Sequence, residues 1–281
     1  MTRVVFITDS TSDLPAKLVE QHDIRVVPTF VHFGQDSLVD DGSESVRQEF
    51  YTRLATSPIM PTTAAPSLGM ALEAVQQALA DGDHVFILTA AADLSSIHNV
   101  LRMAIEQTEP DRVSLIDSQQ LSMGLGWLVV YAAEMAAAGE SVDVIKAAVL
   151  DARERTEVWA ALDTMQFLRR SGRVGWAAAM IGEVLKIKPV VNLHNSVVTS
   201  AARVRTSQRA FNTLVGLGHA AAPLERLAVL HTNNPDGVQR LKAAVASIVP
   251  EIDVPVVDVT PVIGVHVGPN GLGLGVIRKS S

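Results

Sequence analysis

The chain contains no cysteine among its 281 residues, which excludes disulfides, thiolate metal ligands, iron–sulfur clusters and thiol nucleophiles. Aromatic residues make up only 4% of the sequence, and 23 lysines and arginines stand against 30 acidic residues, for a formal net charge of -7. A nucleic-acid-binding protein needs concentrated positive charge to displace counterions from phosphates. Nucleic acid is therefore not an expected partner.

Long hydrophobic runs are also absent. The longest apolar stretch, from Met123 to Ala138, is shorter than the roughly 20 residues of a membrane-spanning helix and contains Glu134. It predicts a buried helix in which Gly124 and Gly126 allow close approach of a sheet or ligand. No charged and apolar secretory signal precedes the first strand. We expect a cytoplasmic protein with no membrane span, whose only membrane contact would be transient.

Several sequence motifs of enzymes are missing as well. The chain has no phosphate-binding Gly-x-x-x-x-Gly-Lys-Ser/Thr loop, no Gly-x-Ser-x-Gly nucleophile turn and no His-Glu-x-x-His zinc motif. The glycines between Gly268 and Gly275 precede a strand instead of opening a helix, which argues against a dinucleotide loop. The eight histidines show no pair at helical spacing. We expect no metal and no cofactor.

What is present is a strand and helix rhythm. Hydrophobic residues make up 48% of the chain, enough for a substantial core. Apolar runs at Val4–Ile7, Val85–Leu88 and Val113–Ile116 each lead into a helix-like segment, which predicts a parallel sheet. Farther along, two strand-like runs flank Asn195 and Ser196, a pattern typical of a hairpin turn. The predicted fold is α/β with two domains: a parallel-sheet, Rossmann-like domain over residues 1–155 and a mixed-sheet domain over residues 156–281.

Helix starts and strand ends give the predicted positions of the remaining elements. Helices are predicted at Asp13–His22, Ser67–Ala80, Ser95–Gln107, Ser122–Ala138 and Trp176–Leu185. Further strands are predicted at Val158–Leu162, Lys188–Leu193, Val197–Val204, Leu227–His231, Val254–Val259 and Gly273–Ile277. His266 falls in a strand-like run before Gly268.

Polar residues cluster where these strands end. Asp9, Ser10, Thr11 and Ser12 follow the first strand, and ligands of open α/β sheets bind at the carboxyl ends of strands. The same residues also suit a helix cap. Other hydroxyl, Arg and His residues at strand ends or turns together predict an oxyanion receptor, because a buried carboxylate needs several donors. They are Thr62, Thr63, Ser95, Ser96, Ser118, Arg173 and His266, with the carboxylate Asp117 beside Ser118.

Short motifs are spread along nearly the whole chain. They are Thr8-Asp9-Ser10-Thr11-Ser12-Asp13-Leu14-Pro15, Thr63-Ala64-Ala65-Pro66-Ser67, Leu94-Ser95, Ile116-Asp117-Ser118, Phe167-Leu168 to Gly172-Arg173-Val174-Gly175, and Gly264-Val265-His266-Val267-Gly268-Pro269. Together these motifs resemble the DegV family, the fatty-acid-binding subunit of bacterial fatty acid kinase.

The resemblance implies a carrier without chemistry of its own. Two α/β domains would hold a long-chain fatty acid such as palmitate or oleate, with its tail in an apolar tunnel and its carboxylate near the domain interface. Thr63 and Ser95 would bind the carboxylate directly, and Arg173 and His266 would complete the polar network. A separate kinase would then convert the carboxylate to an acyl phosphate for phospholipid synthesis.

Each of these residues also has a structural explanation. Thr63 and Ser95 suit loop or helix capping, Arg173 suits a contact with a helix C-terminus, and His266 suits a structural role. Two other functions also stay open. One is a hydrolase or phosphatase that uses Asp9, Ser10 and His266, and the other is a lipid sensor or scaffold without a kinase.

The chain departs from the family pattern at three places. Thr-Ser-Gln-Pro is replaced by Thr63-Ala64-Ala65-Pro66, Ser-Gly-Thr-Tyr by Ser95-Ser96-Ile97-His98, and Gly-Gly-Arg by Ser171-Gly172-Arg173. The first Thr and the first Ser are kept, so carboxylate binding is still expected.

A basic segment is the predicted docking surface for the kinase. It contains Arg203 and Arg205, followed closely by Arg209, which gives three positive charges within seven residues. The alternative explanation is an ordinary solvated face.

Overall fold

The computed structural model describes residues 2–172 and 187–280. Its strands are β1 (Val4–Asp9), β2 (Ile24–Val27), β3 (Thr29–Phe33), β4 (Asp36–Asp40), β5 (Thr62–Ala64), β6 (His84–Thr89), β7 (Val113–Asp117), β8 (Thr156–Ala161), β9 (Lys188–His194), β10 (Val197–Val204), β11 (Leu224–His231), β12 (Val256–Asp258) and β13 (Leu272–Arg278). Its helices are α1 (Ala16–Gln21), α2 (Glu44–Thr56), α3 (Leu68–Asp81), α4 (Ile97–Ile105), α5 (Met123–Ala137), α6 (Val142–Glu154), α7 (Gln166–Arg170), α8 (Ser207–Ala221), α9 (Pro235–Val245) and α10 (Pro261–Val267).

The N-terminal part contains a four-stranded parallel sheet in the order β2-β1-β6-β7. Successive side chains of a strand point to opposite faces of the sheet, and in this sheet each face packs in a core of its own. Phe6 and Phe86 pack in the core that includes α5, whereas Val5 and Val85 pack in the core formed with α3 and α4. The predicted parallel sheet is therefore confirmed.

The C-terminal part contains a six-stranded sheet in the order β10-β9-β8-β13-β11-β12. Only the pair β11–β12 is parallel, so this sheet is mixed, as predicted. Asn195 and Ser196 both have positive φ angles, 48° and 64°, and form the predicted two-residue hairpin turn between β9 and β10. The two-domain α/β fold class is confirmed, and the boundary between residues 155 and 156 stays a prediction.

Helix α5 lies between the two sheets and is buried around most of its circumference. It contacts β1 and β6 on one side and β8, β11 and β13 on the other. A Cβ added at Gly124 would lie 2.7 Å from Val158 Cγ2, and one at Gly126 would lie 2.6 Å from the Ser12 carbonyl oxygen. The two glycines therefore allow the close approach that the sequence predicts.

A third, antiparallel sheet in the order β4-β3-β5 packs with α2 against α10. The prediction that His266 lies in a strand-like run is wrong, because His266 is in helix α10. Pro261 occupies the first turn of that helix, where its missing N–H costs no helical hydrogen bond.

Two other predicted helices differ from the observed structure. The helix predicted from Asp13 begins only at Ala16, because Asp13 has a left-handed backbone (φ 57°) and Pro15 is extended. The helix predicted at Trp176–Leu185 lies outside the described residues.

Candidate ligand-binding site

A largely aliphatic cavity lies between the two domains. Its volume of about 150 Å³ is roughly ten times what one water molecule needs on the same measure. Its floor is one face of the mixed sheet, and its other walls come from α10 and from the loops that follow β1, β6 and β7. Most of the described lining is aliphatic: Leu94, Leu121, Val158, Ala160, Leu162, Leu168, Val191, Leu193, Val198, Leu230, Val259, Val262, Ile263, Val267 and Leu272.

Three of the four predicted carboxylate-binding residues line this one cavity. They are Thr63, Ser95 and His266, which are separated by long stretches of sequence but brought together by the fold. Their role as carboxylate partners stays a prediction. Arg173, the fourth, lies outside the described residues.

Each of the three residues is held by a different element. Thr63 is in the middle of β5 and pairs with Val31 of β3. Ser95 lies just before α4, and its Oγ accepts a hydrogen bond from the Ile97 N–H at 3.3 Å. His266 is buried, with 6% of its surface exposed, on α10. The N-cap of α4 is Ser96, so Ser95 accepts from the first helical N–H from one residue before the cap while it lines the cavity. A structural role and a place in the cavity wall are therefore compatible for Ser95.

Four further polar residues line the cavity: Thr11, Ser122, His231 and Thr232. Thr11 belongs to the polar cluster after β1 that the sequence identifies. His231 and Thr232 were missed, although they mark the carboxyl end of β11, the same signal that identified Thr11. Burial and the nearby Arg47 lower the pKa of His231, which favours the neutral ring.

The rest of the first polar motif supports the backbone. Asp9 accepts hydrogen bonds from the N–H groups of Thr11 at 3.0 Å and Ala90 at 2.9 Å, and thereby joins the ends of β1 and β6. Burial raises the pKa of Asp9. Ser10 Oγ lies 2.7 Å from Thr29 Oγ1 and does not line the cavity. A hydroxyl held in this way is not placed to attack a substrate there.

Asp117 and Ser118, which the sequence places in the oxyanion receptor, do not line the cavity either. Asp117 Oδ1 accepts hydrogen bonds from the N–H groups of Gln119 and Ala92, and Ser118 Oγ accepts one from the Gln120 N–H. The side-chain oxygens of Asp117 and Ser118 therefore hold the loops that follow β6 and β7.

The positions that depart from the family pattern lie outside the described lining. Ala64 and Ala65 do not contact the cavity, and Ile97 is buried in the core beside α3. His98 Nδ1 lies 2.9 Å from Thr89 Oγ1, and burial lowers the pKa of His98.

The predicted docking arginines are on the surface. Arg203 is at the end of the edge strand β10, Arg205 follows it, and both are exposed. Neither lines the cavity.

Over residues 2–172 and 187–280, no group of three or more His, Asp and Glu side chains is arranged to hold a metal ion. In the same part of the chain, no helix has the length and apolar character needed to cross a membrane.

The fold and the cavity define a two-domain α/β protein with an aliphatic cavity, bordered by hydroxyl and imidazole groups, at the domain interface. The chain belongs to the DegV family, a family of uncharacterised proteins whose pattern matches residues 3–279. A DegV domain-containing protein of Streptomyces coelicolor is 33% identical, over 98% of this chain and 99% of that protein. One from Clostridium acetobutylicum is 28% identical, over 99% of this chain and all of that protein.

Solved structures share the whole fold. A fatty-acid-binding DegV family protein from Thermus thermophilus has a TM-score of 0.90 and 30% identity, and the match covers 99% of this chain and 100% of that one. A stearic-acid-binding protein from Eubacterium ventriosum has a TM-score of 0.87 at 20% identity, with 99% of each chain covered. At this level of identity, the similarity to the Eubacterium ventriosum protein shows a shared fold and no more.

Proposed function

We propose that this protein binds a long-chain fatty acid in the interdomain cavity and presents its carboxylate to a separate fatty acid kinase in the cytoplasm, with no cofactor and no chemistry of its own. The observation that carries the proposal is the composition of the cavity: aliphatic side chains form most of its wall, and Thr63, Ser95 and His266 border it. The fatty-acid-binding protein of Thermus thermophilus, with the same fold, supports the ligand class.

The energetics favour a ligand with a long tail. Burying about 15 methylenes of a sixteen-carbon acid at roughly 0.8 kcal/mol each gives about 12 kcal/mol before the cost of association. The hydroxyl groups then favour an acid over a neutral lipid, because each unpaired buried donor costs about 1–3 kcal/mol. The tail accounts for affinity and the polar border for selectivity.

The direct test is native mass spectrometry of the protein purified from a bacterial host, followed by extraction and identification of any released lipid. We expect a stoichiometric mass shift that yields a free fatty acid. A clean apo mass, together with failure to take up added palmitate or oleate, would refute the carrier function.

The kinase step has a separate test at the docking arginines. We expect Arg205→Glu to reduce kinase-dependent acyl phosphate formation while palmitate binding is kept, because charge reversal disrupts a complementary interface. The matched control is Lys242→Glu, a charge reversal at an exposed position on α9. Equal rates of acyl phosphate formation with both variants would show that Arg205 does not take part in docking.

Hydrolysis is the less favoured alternative, because Ser10 is bonded to Thr29 and lies outside the cavity lining. The alternative predicts turnover of ester or phosphate substrates that is lost in Ser10→Ala. A sensor or scaffold would retain little or no lipid and would support no kinase-dependent phosphorylation.

A further inference from the structure

Two buried carboxylates from the N-terminal part of the chain hold the start of α10. Asp13 Oδ1 accepts a hydrogen bond from the Thr260 N–H at 2.8 Å, and Asp40 Oδ2 accepts one from the Val262 N–H at 3.0 Å. Both carboxyl groups have no exposed surface. The first N–H groups of a helix have no partner within the helix, so these two acids supply the missing acceptors.

Other contacts bring the same helix against α2. The Tyr51 hydroxyl donates to the Val259 carbonyl oxygen at 2.9 Å. A Cβ added at Gly264 would lie 2.6 Å from Phe50 Cε1, which shows how closely the α10 backbone approaches the aromatic rings. Helix α10 is therefore fixed by hydrogen bonds at its start and by packing along its length.

Asp13 also connects this contact to the cavity. Its second carboxylate oxygen accepts a hydrogen bond from the Ser122 hydroxyl, and Ser122 lines the cavity. On the other side, α10 carries Val262, Ile263 and His266, which line the same cavity. A shift of α10 would move apolar wall and polar border together.

We propose that Asp13 and Asp40 are positioning residues for ligand binding, which act by fixing α10 and thereby His266 against the N-terminal domain. This inference rests on the proposed function for its effect on affinity, but the placement of α10 can be measured without a ligand. The acids act through the backbone of residues 260–262 and do not line the cavity themselves.

The ionisation of Asp40 provides a test of this role. An uncharged side chain that only packs against α10 would give no such dependence on pH. Burial, the largest effect, raises the pKa of Asp40 to about 7. In either charge state the side chain keeps an oxygen that can accept from Val262, but the ionised form bears the cost of burial. Opening of this region, which returns the ionised carboxylate to water, should therefore become more favourable as pH rises towards 7 and above, although the Val262 N–H by itself favours the ionised form. The charged and titratable groups around Asp40 are Asp13 after β1 and Arg47 and Tyr51 on α2. From the C-terminal domain, His231 and Asp258 face Arg47 or Tyr51.

The first experiment is amide hydrogen exchange on the unliganded protein, with rates corrected for the intrinsic effect of pH. We expect protection of residues 259–267 in the wild type to fall by up to about tenfold between pH 6 and pH 8, as one carboxyl ionises. Asp40→Asn keeps an acceptor but cannot ionise, so its protection should not change in this way. Asp40→Ala should lose protection at both pH values, while α8 stays protected.

The control is Asp36→Asn, which removes an exposed charge from the same strand, β4. It should behave as the wild type does. Unchanged protection of residues 259–267 in Asp40→Ala would overturn the inference, and so would the same pH response in wild type and Asp40→Asn. If Asp40→Ala does not fold, the comparison of wild type with Asp40→Asn still decides.

The second experiment measures palmitate affinity in the same proteins. We expect Asp40→Ala to bind several-fold more weakly than Asp36→Asn, because α10 is no longer fixed. If the wild type binds no fatty acid, the proposed function fails, while the exchange result still tests the placement of α10. If the wild type binds palmitate and Asp40→Ala binds equally well, the positioning role fails and the proposed function stands.

Discussion

Replacement of Ala160 by leucine gives a quantitative test of the cavity as the binding site for an acyl tail. Ala160 on β8 pairs with Val191 of β9 on one side and with Gly273 of β13 on the other, and all three residues line the cavity. Leucine adds three carbons to the floor and displaces about three methylenes of a bound tail. At about 0.8 kcal/mol per methylene this is about 2.4 kcal/mol, or roughly 50-fold in affinity.

The assay is a titration of Ala160→Leu with saturated fatty acids of graded length. Long acids should bind more weakly by about that factor, whereas acids several carbons shorter should bind nearly as they do to the wild type. Ala201→Leu is the matched control, because Ala201 is exposed on the edge strand β10 of the same sheet. Unchanged affinity for every length in a folded Ala160→Leu protein would refute the assignment of the tail to this cavity.

Three further predictions concern the polar border, the packing of α10 and the buried acids. Thr63→Val should weaken palmitate binding by about 1–3 kcal/mol and leave its methyl ester less affected, in a competition assay. Gly264→Ala should lower the free energy of unfolding by about 1–3 kcal/mol in urea, because its Cβ would meet the aromatic rings of α2. Asp40→Asn should gain stability relative to the wild type as pH rises from about 4 to about 7, in urea titrations at each pH.

The sign of the last prediction follows from the raised pKa of Asp40, about 7 in the folded protein against 3.8 for an ordinary aspartate. The folded state holds a proton that the unfolded state has lost, so the wild type loses up to about 1.4 kcal/mol per pH unit across that interval. A constant difference between the two proteins would contradict it.

The other two predictions have their own controls. For Gly264, the control is Gly216→Ala on α8, where an added Cβ meets nothing within 4 Å; it should stabilise by about 0.5–1 kcal/mol. Equal effects at the two glycines would contradict the packing argument. For Thr63, an equal loss for acid and ester would show that the hydroxyl does not recognise the carboxylate.

The sequence predicts the elements that its local pattern dictates. The continuous apolar runs of β1 and β6, the capped start of α3 at Ser67 and the Asn195-Ser196 turn all depend on neighbouring residues, and the structure confirms them. No element is assigned from sequence between residues 23 and 66, where β2–β5 and α2 lie. These strands are short, and β5 is stabilised by pairing with β3, about 30 residues earlier in the chain, whereas β3 and β4 pair across a short turn.

The sequence by itself determined which residue types could form a ligand site, namely the hydroxyl groups at strand ends and the aliphatic residues that strands present. Only the tertiary structure decided that Thr63, Ser95 and His266 border one cavity and that His266 is helical. The seven residues of α10 form too short a helix to be stable alone. Its conformation depends on acceptors supplied by Asp13 and Asp40, which are more than 200 residues away in the chain, and such a partner cannot be identified from local periodicity.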